Sequence, residues 1–85
     1  MRNQANHVDL AVGRRIASLR KSAGIEPPEL ANRLGVSPQL LASIERGHHR
    51  AGARMLSDLA DLLQLPVLAF FGAEFETSVA RSTVH

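Results

Sequence analysis

The chemistry this chain can offer is concentrated in its arginines. Nine of its ten basic residues are Arg, and nine of the ten lie within residues 1–54, against four acids there. Residues 55–85 carry Arg81 alone against four acids, so the first part has a surplus of five positive charges and the second a deficit of three, although the whole chain is only +2. A guanidinium is a planar fork of donors that matches a phosphate. A basic front and an acidic rear suit a protein that turns one face to a polyanion and another to solvent or a partner. His48-His49-Arg50-Ala51-Gly52 is a basic loop within the positive part.

Other chemistries are poorly provided for. Cysteine is absent, which removes disulfides and thiolate metal sites. His48 and His49 are adjacent, with no spaced acid, a poor arrangement for a metal. Ser18, Ser37, Ser43 and Ser57 are accounted for by helix surfaces and a cap, no nucleophile–base set is visible, and no Gly-rich phosphate loop precedes a helix. The expectation is a protein that is not an enzyme and has no cofactor. No apolar run approaches the roughly 18 residues of a membrane span, and the start, MRNQANHVDL, lacks the apolar core of a signal peptide. A cytoplasmic protein is expected. At 85 residues and 45% apolar, one small domain is expected, burying about 60–65% of its surface.

The elements that must carry the basic residues read as helices. Residues 1–8 are polar and are read as a disordered N-terminal arm. Asp9 is placed as the N-cap of a first helix over about 10–22, with Val12, Ile16, Leu19 and Ala23 on one face. Gly13 inside it implies close packing, and Gly24 ends it. Residues 27–46, PPELANRLGVSPQLLASIER, hold two short helical patterns, 27–34 and 38–46, joined by Leu34-Gly35-Val36-Ser37. Gly35 suits a left-handed exit from the first, and Ser37-Pro38 reads as an N-cap and first residue of the second. Leu30, Leu34, Val36, Leu41 and Ile44 let the two helices close on each other, which is the shape of a helix-turn-helix. A fourth helix is read over 53–64, with Met55 or Leu56, Leu59, Ala60 and Leu63 inward. Val67-Leu68-Ala69-Phe70-Phe71 reads as a short fifth helix, with Val67 and Phe70 as core. Residues 73–85 have no helical period and are read as a C-terminal tail.

With these elements in this order, the chain resembles the Xre family, the lambda-repressor-like helix-turn-helix proteins. Gly13, Ile16, Leu19-Arg20, Ala23-Gly24-Ile25, Leu30-Ala31, Leu34-Gly35-Val36-Ser37, Leu41, Ile44-Glu45-Arg46-Gly47, Leu59-Ala60, Leu63, Val67 and Phe70 carry the resemblance. It implies an all-α, compact five-helix DNA-binding domain over residues 9–72. It also implies that Arg20 and Glu45 form a buried structural ion pair between helix one and the end of helix three. The expected partner is double-stranded DNA. Pro38, Gln39, Leu40, Ala42 and Ser43 are placed on the exposed face of the recognition helix. There Gln39 can pair with adenine N6 and N7, and Leu40 or Ala42 can meet a thymine methyl. Ser37 heads that helix, whose N-terminus can donate N–H groups to phosphate. Arg46, His48, His49, Arg50 and Arg54 fall where the family meets the DNA backbone, and Arg33 is a further phosphate candidate. Pro27 and Pro38 stand where the family often has glutamine, so direct readout should be thin.

Leu65, Val67, Leu68 and Phe71 are expected to form a dimer interface, since a short fifth helix cannot bury them all and the family commonly dimerises in this region. The reading is a homodimeric repressor. Two alternatives stay open: an antitoxin that binds both DNA and a toxin, and a domain that has lost DNA binding and acts as a protein adaptor through Leu40. A protein partner, whether toxin or effector, is compatible with each.

Overall fold

The computed structural model describes residues 6–71. Among these residues there are four α-helices and no strand: α1 (His7–Ser22), α2 (Pro27–Leu34), α3 (Pro38–Glu45) and α4 (Ala53–Leu63), followed by one 3₁₀ turn, Val67–Phe70. The expected tail, 73–85, lies outside the described residues, as do residues 1–5 of the expected arm.

The first helix starts earlier than the sequence suggests. Asn6, not Asp9, is its N-cap: the Asn6 side chain accepts from the Val8 and Asp9 N–H groups at 3.0 and 3.1 Å. Asp9 returns the bond by accepting from the Asn6 N–H at 2.9 Å, completing a capping box. Both residues are good cap acceptors and stand three apart, so composition alone does not separate the cap from its reciprocal partner. Residues 6–8 therefore belong to the helix and its cap rather than to an arm.

Glycine ends the next turns. Gly35 leaves α2 at φ 74°, and the Val36 N–H bonds back to the Ala31 carbonyl at 3.0 Å. Ser37 then caps α3, its Oγ accepting from the Leu40 N–H at 3.0 Å. These two devices fix the turn between α2 and α3. The core collects one stripe from each helix: Val12 and Ile16 from α1, Leu30 and Ala31 from α2, Leu41 and Ile44 from α3, Leu56, Leu59 and Ala60 from α4, with Phe70 fully buried beneath. Ala23, expected on the inner face of α1, is exposed in the turn beyond it.

Helix α1 lies against α3 at backbone distance. A Cβ at Gly13 would meet the Ile44 carbonyl oxygen, and the Glu45 carbonyl oxygen at 3.0 Å. This is the close approach that Gly13 permits.

The expected fifth helix is a single 3₁₀ turn. Its bonds run from the Ala69 N–H to the Pro66 carbonyl at 2.9 Å and from the Phe71 N–H to the Leu68 carbonyl at 3.1 Å. Four residues close only one turn, and that turn serves to drive Phe70 into the core. Val67, expected in the core, is 41% exposed. The Arg15 Nε donates to the Ala69 carbonyl at 2.8 Å, tying the turn to α1.

Candidate nucleic-acid interface

Helix α3 is anchored on one side and open on the other. Residues advance by about 100° around an α-helix, which places Pro38, Ala42, Arg46, Gln39 and Ser43 within an arc of about 140°. Leu41 and Ile44, both buried, lie opposite that arc. Pro38, Gln39 and Arg46 are exposed, and Ala42 and Ser43 are half-buried. Leu40 departs from expectation. It sits at the edge of the arc, half-buried and packed against the core cluster. The adaptor alternative, motivated by Pro27, Pro38 and an exposed Leu40, loses that last support.

The N-terminus of α3 has few donors left. Pro38 has no N–H, the Leu40 N–H is taken by Ser37 Oγ, and the Leu41 N–H bonds the Ser37 carbonyl at 3.1 Å. The Gln39 N–H is the first-turn donor that remains, beside the Gln39 side chain.

The cations divide by what already holds them. Arg20 is scaffold: Nε and Nη2 fork onto Glu45 at 2.8 and 3.2 Å, and Nη1 donates to the Ile25 carbonyl at 2.9 Å. The hydrogen bond to Glu45 holds the Arg20 guanidinium above its ordinary pKa, against the opposing effect of burial. Arg33 is engaged by Glu29 at 2.7 Å, one helical turn away on α2. Arg50 pairs through Nε with Asp9 at 3.2 Å. Arg54, at the start of α4, is 93% exposed and only loosely set against Asp58 at 3.8 Å. Arg46 has no ion pair among the described residues, and it lies with exposed His48 and His49 at the end of α3. Sequence reasoning missed Asp9 as the partner of Arg50, 41 positions away. It also missed Glu29 as the partner of Arg33, which the spacing of four signals.

A helix-turn-helix domain model matches residues 11–69 of this sequence. The chain belongs to that family. A relative in Rhodospirillum rubrum, an uncharacterized transcriptional regulator in the ATPase CF(0) region, is 39% identical over 66 residues, 78% of this chain. The chain spans 61% of that relative's length and 50% of two rhizobial regulators, from Sinorhizobium medicae and Rhizobium meliloti. Among solved structures, SinR, described as the master regulator for biofilm formation and solved in complex with DNA, aligns at TM-score 0.66 with 31% identity, covering 72% of this chain and 98% of that one. The restriction-modification controller protein C.AhdI of Aeromonas hydrophila aligns at TM-score 0.72, covering 78% of this chain and 100% of that one. At 23% identity it shares the fold.

Within this helix-turn-helix domain, the apolar residues after α4 are only partly covered. Val67 and Leu68 are 41% and 40% exposed, while Leu65 and Phe71 are half-buried. Among the described residues, no group of His, Cys, Asp and Glu could hold a metal, and no helix is long and apolar enough to cross a membrane.

Proposed function

We propose that this chain is a DNA-binding transcriptional regulator that lays α3 in the major groove and acts as a homodimeric repressor in the cytoplasm. One observation carries the reading. The face of α3 opposite its buried stripe holds Gln39, Ser43 and Arg46, with His48, His49 and Arg50 in the loop that follows and Arg54 in the first turn of α4. SinR, similar in fold at 31% identity, was solved in complex with DNA, which supports DNA binding by this chain.

In this reading Gln39 reads a base edge, while Ser43, Ala42 and Pro38 line the groove. Arg46, Arg50, Arg54, His48 and His49 meet the backbone. Arg33 is a weaker contact, because one of its terminal nitrogens, Nη2, is already taken by Glu29. Ser37 fixes the start of the helix, and Leu40 backs it from inside. With a thin set of base contacts, affinity rests on phosphate contacts, DNA shape and dimer spacing. Val67 and Leu68, with Leu65 and Phe71, supply an apolar surface for a two-fold interface, which would set the two reading helices about 34 Å apart, one turn of DNA.

The test is a titration against the DNA upstream of its own gene and against random DNA, at several salt concentrations. Tighter binding upstream with a steep salt slope is expected. Weak, equal and salt-independent binding to both would overturn the reading and direct attention to a protein partner.

A further inference from the structure

Two arginines of this domain are held by carboxylates in opposite ways. Arg20 is spent: all three of its nitrogens are bonded within the fold. Arg50 is held by Nε alone, at 3.2 and 3.4 Å from the two oxygens of Asp9. Its Nη1 and Nη2 make no hydrogen bond among the described residues, and its side chain is 67% exposed. Asp9 cannot swing away. Its side chain is 9% exposed, and Oδ2 also accepts the Asn6 N–H at 2.9 Å.

We propose that Asp9 is a positioning residue for DNA binding: anchored in the α1 capping box, it grips Arg50 by Nε and presents the two terminal nitrogens as a pre-set fork for a backbone phosphate. The inference rests on the DNA-binding reading above and adds a residue that touches no DNA itself. A free arginine in an irregular loop must be ordered at the moment of binding, and ordering a long side chain opposes association. Asp9 performs that ordering beforehand. Its own negative charge opposes phosphate only weakly, because it is offset by the N-terminus of α1 and stands behind the guanidinium.

The experiment is a double-mutant cycle on the full chain, measuring Kd for a random-sequence DNA duplex across a salt series. Asp9→Asn keeps an oxygen for the Asn6 N–H but removes the charge that grips Arg50. It is expected to weaken binding about three- to tenfold, the scale of immobilising one long side chain, while the salt slope stays unchanged. Arg50→Ala is expected to lower the slope by about 0.9. In that background Asp9→Asn should change Kd less than about twofold, since Asp9 acts through Arg50. Asn6→Ala, which removes the bonds to the Asn6 side chain but keeps the Asn6 N–H that anchors Asp9 Oδ2, should lower Tm and leave Kd unchanged.

Equal losses from Asp9→Asn in both backgrounds, or a loss of the same size from Asn6→Ala, would make Asp9 merely a fold support and overturn the inference. Unchanged or tighter binding by Asp9→Asn would overturn it too. An unaltered chain with no salt-dependent binding would refute the DNA-binding reading itself, a result distinct from binding that ignores Asp9.

Discussion

Replacing Gly13 by Ala sets two rules against each other and lets the structure decide the sign. Helix propensity alone makes the change stabilising by about 1 kcal/mol. Packing opposes it. The new Cβ would meet the Ile44 carbonyl oxygen, and it would stand 3.0 and 3.1 Å from the Glu45 carbonyl oxygen and carbon. These are backbone atoms in the last turn of α3, fixed by that helix and by the Arg20–Glu45 pair, so no rotamer change relieves the contact. The two helices must move apart. Overpacking a filled interior costs about 1–3 kcal/mol, and more where backbone rather than a flexible side chain must yield. Separation also thins the packing of α1 on α3 within the common core, and a gap of about 0.5–1 Å forfeits roughly a quarter to a half of each contact it opens. With the overpacking cost at the top of that range, because backbone must yield, the net loss after the propensity gain is about 2 kcal/mol.

For a domain of this size that loss lowers Tm by roughly 8–16 °C. Thermal unfolding followed by far-UV circular dichroism at matched protein concentration reads it directly. A Tm that is unchanged or raised would refute the reasoning, because it would mean that the missing Cβ does not set the distance between α1 and α3.

Glu45→Gln leaves the buried Arg20 charge without its counter-charge and is expected to cost about 3–5 kcal/mol in urea unfolding, whereas the pair Arg20→Met with Glu45→Leu should recover much of it; equal losses in single and double variants would contradict the pairing argument. Gln39→Ala should relax preference at one base position by about 1–3 kcal/mol, measured on single-substitution operators, and equal losses on specific and random DNA would remove Gln39 from base readout. Leu68→Asp should shift sedimentation equilibrium toward monomer with little change in far-UV dichroism, because the side chain is 40% exposed in the single chain; an unchanged mass distribution would remove this turn from the proposed interface.

The parts of this domain that local rules govern were legible in the sequence. The turn between α2 and α3 needs a residue that tolerates φ 74° and a side chain that caps the next helix, and Gly35 and Ser37 are the residues that do so. The stripe Leu30, Leu41, Ile44 follows from helical spacing. What escaped depends on three-dimensional placement. Whether Asn6 or Asp9 caps α1 turns on which side chain reaches which N–H. The segment after Pro66 has the apolar content of a helix, but the full burial of Phe70 leaves room for one 3₁₀ turn. Charge is the sharpest case. The surplus over residues 1–54 is real as a sum, yet Arg20, Arg33 and Arg50 are each matched to a carboxylate within 3.2 Å, and Arg15 donates to a main-chain carbonyl. The family resemblance gave notice of Arg20–Glu45 and the spacing of four of Glu29–Arg33, whereas nothing local signals Asp9–Arg50. A count of arginines therefore overstates the donors open to a phosphate. Of the candidates around α3, those left with open donors are Arg46, Arg54 and the outer nitrogens of Arg50, at the end of α3, the start of α4 and the loop between them, while Arg14 and Lys21 stand exposed and unpaired on α1 among the described residues.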